Sequence, residues 1–233
     1  MSLPSNRGSR GNRLVQLAGL TMVLAVAAIA LIAFWVPSDA DQGLSQRIFY
    51  FHVPLALTAY ACFGAGALKA VLHLWKGRPG DDLESYVAVH QGVIFGALVL
   101  ITGSIWAKIS WGVWWVWSSQ QLVVFLVLFL FYCAYFMLRY SIDEGPARAN
   151  ICAVYALFGV ALIPVSFFAI RLASDFIHPT VFTRHGMQMT GSMQVTFLVS
   201  LAAMLSLAYT LYRVELAGKR LDARLRELRE VLA

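Results

Sequence analysis

QLVVFLVLFLFYCAYFMLRY, Gln121 to Tyr140, carries one charged side chain, Arg139, and that stands next to its end. Roughly 20 apolar residues are what a helix rising 1.5 Å per residue needs to cross a hydrocarbon core about 30 Å thick. Inside such a core every backbone amide must find its partner within the segment, so the run is read as helix. Five further runs share the property: Leu14 to Val36, His52 to Trp75, Tyr86 to Ala107, Asn150 to Ile170, and Met193 to Tyr212. Together they predict an all-α, polytopic membrane protein with six transmembrane helices.

The whole chain agrees with its parts. Its 233 residues are 60% hydrophobic and only 13% charged, with a mean hydropathy of +0.70, which excludes a soluble domain of this length. Of the 18 Lys and Arg, only Arg47, Lys108, Arg171 and Arg184 fall on the side of the membrane opposite the N-terminus. The excess of cations on the other side predicts that both termini are cytoplasmic. The isoelectric point near 9.4 thus reports topology, and nucleic acid is not expected as a partner. The first span is expected to remain as an anchor, since its apolar stretch exceeds the roughly 7 to 15 residues of a cleaved leader.

No soluble domain interrupts the spans, and residues 1–213 are read as one six-helix membrane domain followed by a cytoplasmic amphipathic tail, 214–233. In the tail Leu221, Leu225, Leu228 and Leu232 form one apolar stripe. Such a stripe could rest on the inner leaflet, dock on a partner, or belong to a solvated continuation of the last span. KGRPGDDLE, Lys76 to Glu84, and SIDEGPARA, Ser141 to Ala149, are expected to be cytoplasmic loops, having Gly and Pro turn chemistry. Cys62, Cys133 and Cys152 form no CxxC or CxxCH pattern and are read as small packing residues. Near-absence of ionisable groups from mid-span excludes a proton relay or a transporter with charged mid-membrane sites. Chemistry is pushed to the membrane faces. His73 and His90, near the cytoplasmic ends of two spans, read as interfacial residues, a second ligand site being the minor alternative.

The external side is richer. Four of the seven tryptophans, Trp111, Trp114, Trp115 and Trp117, stand in WGVWWVW. A helix would align Trp111, Trp114 and Trp115, and an extended chain Trp111, Trp115 and Trp117. Indoles collect at membrane interfaces, so an aromatic belt is the simpler reading, and a platform for a planar aromatic ligand is the sharper one. On the same side lie Arg47 and His52 in RIFYFHVP, and His178, which precedes Pro179. Pro54 is expected in the first turn of the second span, which puts His52 at the outer interface, where a helix N-terminus favours the neutral, metal-binding imidazole. Two histidines, an indole surface and outward cations are what haem would use: axial nitrogens for iron, rings for the porphyrin, arginine for the propionates. His185, in the same loop as His178, is the second choice as ligand.

The run TGSIWAKISWGVWWVW, with six spans, the upstream RIFYFHVP and the downstream IHP, resembles the CcmC family, the haem exporter protein C of bacterial cytochrome c maturation. The resemblance covers nearly the whole chain. It implies that His52 and His178 are the two axial ligands of a transient, non-covalent haem b at the external, periplasmic face. It implies also that Trp111, Trp114, Trp115 and Trp117 border the haem and that Arg47 pairs with a propionate. The implied role is a haem-binding chaperone and haem transport component of cytochrome c-type biogenesis, not an enzyme. Its implied partners are haem, membrane lipid, a membrane-anchored haem chaperone (CcmE-like), a small single-span subunit (CcmD-like) and an ABC-type complex (CcmAB-like). One stretch departs from the family: Asp, any residue, Arg usually follows the tryptophans, and here Ser118, Ser119 and Gln120 stand there. An ion pair or propionate contact expected from those charges is lost. Two other roles stay open on the residues, a membrane b-type haem electron carrier and a diverged docking subunit that has lost haem.

Overall fold

The computed structural model describes residues 6–38, 42–172, 182–183, 186–187 and 189–232. Its helices are α1 (Asn6–Phe34), α2 (Phe49–Lys76), α3 (Pro79–Trp111), α4 (Gln120–Ser141), α5 (Pro146–Leu172) and α6 (Gly191–Leu232), with a 3-10 turn at Leu44–Ile48 leading into α2. All six are long and apolar enough to cross a membrane. A two-residue antiparallel pair, Phe182 and Thr183 with Met187 and Gly186, lies between α5 and α6. An even number of crossings puts both termini on one side.

Turn residues act more tightly than the sequence reading expects. Gly77 caps α2 in the left-handed region, φ 62°, its N–H donating to the His73 carbonyl. Pro79 then opens α3 at a position where the missing N–H costs nothing. The expected nine-residue loop shrinks to Gly77 and Arg78. At the other end of α2 the helix starts at Phe49, so Pro54 lies inside it rather than in its first turn. His52 keeps its place in that first turn.

Helix α2 is the hub, packing on α3, α5 and α6, while α1 leans on α6 and α4 on α5. Small residues let the helices close, as is common where no hydrophobic drive separates helix from lipid. A Cβ on Gly66 would meet Val89 Cγ2 at 2.7 Å, and the Gly66 carbonyl accepts the Ser85 hydroxyl at 2.8 Å. The core around Phe63, Phe95, Leu128 and Tyr132 occupies the middle. A second cluster of Ile32, Val36, Phe49, Tyr50 and Phe197 closes the end that carries the tryptophans, with Trp106, Met187 and Met189 packed against it.

The opposite end is cross-braced by charge. Arg139 of α4 forks onto Asp82 of α3, at 2.9 and 2.7 Å. Glu84 of α3 holds Lys69 of α2 and Arg220 of α6, each at 2.6 Å. The 42 residues of α6 run about 63 Å, twice the hydrocarbon thickness. Its C-terminal part continues unbroken from the span, with Leu221, Leu225, Leu228 and Leu232 all exposed.

Candidate functional site at the tryptophan end

His52 lies against α3. Its Nδ1 is 2.9 Å from Thr102 Oγ1, and that hydroxyl lies 2.8 Å from the Leu98 carbonyl one turn back. A hydroxyl that donates to that carbonyl accepts from the ring, an arrangement that puts the hydrogen on Nδ1 and the lone pair on Nε2. A metal-binding histidine is commonly fixed in this way, one nitrogen anchored and the other presented. The edge of the ring meets Trp106, with centroids 5.7 Å apart and planes at 75°. Trp106 is itself held by donation from Nε1 to Gln42 Oε1 at 3.3 Å. Gly103 supplies the space, since a Cβ there would lie 2.9 Å from His52 Cε1.

Sequence reading named His52 and missed Thr102, Gly103 and Trp106. Their signal was present as a hydroxyl and an indole four residues apart on one face of an apolar helix, with a glycine between them. What they serve is visible only when α2 is laid against α3.

Beyond Trp111, the last residue of α3, the tryptophan segment is neither helix nor strand. Gly112, at φ 77°, ends α3 with its N–H on the Lys108 carbonyl, and residues 112–118 bend and turn before α4. Neither alignment considered from spacing holds in full. Trp115 and Trp117 meet edge to face at 5.8 Å, whereas Trp114 lies under Lys108 Nζ at 6.0 Å. Trp117 is 74% exposed and Trp114 60%, and Trp111 is the most covered of these three. Trp111 lies about 13 Å beyond Thr102 along α3, at 1.5 Å per residue. The Nε1 of Trp115 is buried with no acceptor among the described residues.

Arg47 has a structural task. Its Nη1 donates to the Ala33 carbonyl at 3.1 Å, capping the C-terminal end of α1, where a cation is favoured. Its Nε is buried without an acceptor among the described residues, so the guanidinium retains donors for an anion.

His178, His185 and Arg184 lie outside the described residues, as does the side chain of Arg171. The chain on both flanks of His178 returns to this end. Val165 and Ala169 of α5 line a cavity with Trp117, Ser118 and Gln120, and Met187 and Met189 pack on the cluster that includes Phe49 and Trp106. Ser119 is buried as the N-cap residue of α4, and its carbonyl accepts the Val123 N–H.

The two histidines on the side of the bundle away from the tryptophans are occupied structurally. His73 sets Nδ1 at 3.2 Å from the Arg78 carbonyl and Nε2 at 3.2 Å from Asn150 Oδ1. His90 Nδ1 lies 2.9 Å from Glu215, which also accepts from Gln91 at 2.7 Å. These contacts tie α2 to α5 and α3 to α6. Among the described residues no group of three His, Cys, Asp or Glu could hold a metal ion.

Comparison with known proteins follows the same line. A family model described as "Heme exporter protein C" (CcmC) matches residues 6–230. A "Heme exporter protein C" of Bradyrhizobium diazoefficiens is 30% identical over 199 residues, covering 83% of this chain and 74% of that protein. That of Escherichia coli K12 is 30% identical over 167 residues, 68% of each. That of Haemophilus influenzae is 32% identical over 155 residues, 66% of this chain and 62% of the relative. A match running almost from end to end of a six-span chain leaves one assignment: this chain belongs to the haem exporter protein C (CcmC) family.

Proposed function

We propose that this protein binds haem at the outer face of the cytoplasmic membrane and presents it to a membrane-anchored haem chaperone during cytochrome c maturation. The observation that carries the reading is His52, whose Nδ1 is held 2.9 Å from Thr102 Oγ1, at the end of the bundle that also bears the tryptophan segment. His178 is the second axial ligand in this proposal. Trp111, Trp114, Trp115 and Trp117 border the porphyrin, and Arg47 faces a propionate with the donors not spent on Ala33. The donor set fits the cargo: an imidazole nitrogen, exposed indole faces, a cation, and one buried indole N–H with no acceptor among the described residues.

The residues do the work of a holder rather than of an enzyme. Two imidazoles supply affinity without forming a covalent bond to the cargo. Exposed Trp114 and Trp117 keep one edge of the platform open instead of sealing it in a pocket. Openness lets an acceptor reach a bound porphyrin before its ligands let go. A single-span CcmD-like subunit and a CcmAB-like ABC complex accompany the protein in this scheme, with lipid around the six spans.

A photo-crosslinking side chain at position 117 tests presentation. In cells supplying haem and a CcmE-like acceptor, the acceptor should be captured at Trp117→benzoylphenylalanine, and capture should fall when His52→Ala is added. A haem-loaded protein that never yields this adduct would overturn presentation and favour an electron carrier that keeps its haem.

A further inference from the structure

Three positions within about one turn of α3 are built around the His52 ring, and each constrains it differently. Thr102 Oγ1 lies 2.9 Å from Nδ1, Gly103 leaves the space that Cε1 fills, and Trp106 walls the ring at 75°. We infer that Thr102 is a positioning residue that sets the tautomer of His52, with Gly103 and Trp106 setting the ring plane, so that Nε2 is the nitrogen offered to haem iron. This rests on His52 being an axial ligand.

The chemistry of the anchor matters as well as its place. Thr102 Oγ1 lies 2.8 Å from the Leu98 carbonyl, and a hydroxyl that spends its proton there accepts from His52. An amide or a second imidazole could have reversed roles with the ring, whereas this hydroxyl, already committed, cannot do so without losing its own bond. A carboxylate in the same place would draw the Nδ1 hydrogen strongly and make Nε2 a more basic ligand. A neutral hydroxyl orients the ring while raising that basicity less. For a protein that must hold iron and then surrender it, orientation with modest donor strength is the useful combination.

Gly103 is the geometric half of the arrangement. At 2.9 Å from Cε1, an added methyl would displace the imidazole, since the ring can swing on χ1 and χ2 more cheaply than the helix can move. Displacement would stretch the Thr102 contact and turn Nε2 away from its direction.

The test begins without haem. In the purified full-length protein with 15N-labelled histidine, resonances assigned by their loss in His52→Ala should show a protonated Nδ1 and a bare Nε2. An Nε2–H tautomer in the unaltered protein overturns the inference. Thr102→Val should produce a tautomer mixture and Thr102→Ser the original pattern. Titrated with hemin, Thr102→Val and Gly103→Ala should bind about tenfold or more weakly, the usual cost of losing an outer-shell partner, and Thr102→Ser should bind nearly as the unaltered protein does. The low-spin iron that remains in Thr102→Val should have a higher reduction potential, because its imidazole is a poorer donor. Binding and potential unchanged in Thr102→Val, with haem lost in His52→Ala, refute the role of Thr102 and leave the ligand assignment standing. Haem retained in full by His52→Ala refutes the assignment itself.

Discussion

Phe63 of α2 and Tyr132 of α4 stack face to face, with ring centroids 3.8 Å apart and planes within 3° of parallel. Glycines on two further helices admit the pair. A Cβ on Gly92 of α3 would meet the Phe63 ring at 2.5 Å, and one on Gly159 of α5 would meet the Tyr132 ring at 2.6 Å. Four spans therefore converge on one aromatic pair at mid-bundle.

Gly92→Ala should consequently destabilise the protein by about 1–3 kcal/mol, the range for overpacking a filled core. Gly64→Ala, where an added Cβ meets nothing within 4 Å, should be neutral or slightly stabilising. Thermal unfolding in a mild detergent separates the two.

The charged brace makes a second prediction. Arg139 and Asp82 are both largely covered and joined by two hydrogen bonds. Arg139→Met strands a carboxylate beside Tyr135 and should cost about 3–5 kcal/mol, while Arg139→Met with Asp82→Asn should recover much of the loss, since breaking one side of a covered pair costs more than removing both. Unfolding of the single and double variants in detergent reads the difference.

Trp117 predicts a division between function and stability. A side chain 74% exposed contributes little to the fold, so Trp117→Ala should leave the unfolding temperature within the error expected for a surface change of about 0.5 kcal/mol. Haem retention through purification should nonetheless fall. An unaltered haem content would reduce this indole to an interfacial anchor.

Ser118 and Gln120 line the cavity beside Trp117 with Val165 and Ala169. Restoring the charges usual in the family, with Ser118→Asp and Gln120→Arg together, adds an ion pair at a site open to water. Improved capture of the acceptor chaperone is expected, with little change in stability. Equal capture in a pull-down would mean that neutral groups serve this chain as well.

The six spans were legible because the bilayer imposes length and apolarity on every residue of a run, as QLVVFLVLFLFYCAYFMLRY shows. Helix ends were less legible. Gly77 and Pro79 were read as loop residues, yet an αL cap followed by a proline at the first helical position needs only two residues to turn the chain. Lys69, Arg139 and Arg220 were legible as topology signals but not as partners of Asp81, Asp82 and Glu84, because pairing across helices has no imprint on local spacing. The same holds at the outer end. His52 and the tryptophans announce themselves by residue type, whereas Thr102 and Gly103 are ordinary residues of an apolar helix until His52 is placed against them.

Histidine ligation of haem at the outer face of the membrane is read out by an absorption spectrum of the purified protein with added hemin. A low-spin spectrum is expected in the unaltered protein, lost or converted to high spin in His52→Ala and in His178→Ala alike. No haem spectrum at all, or one indifferent to both substitutions, would contradict it.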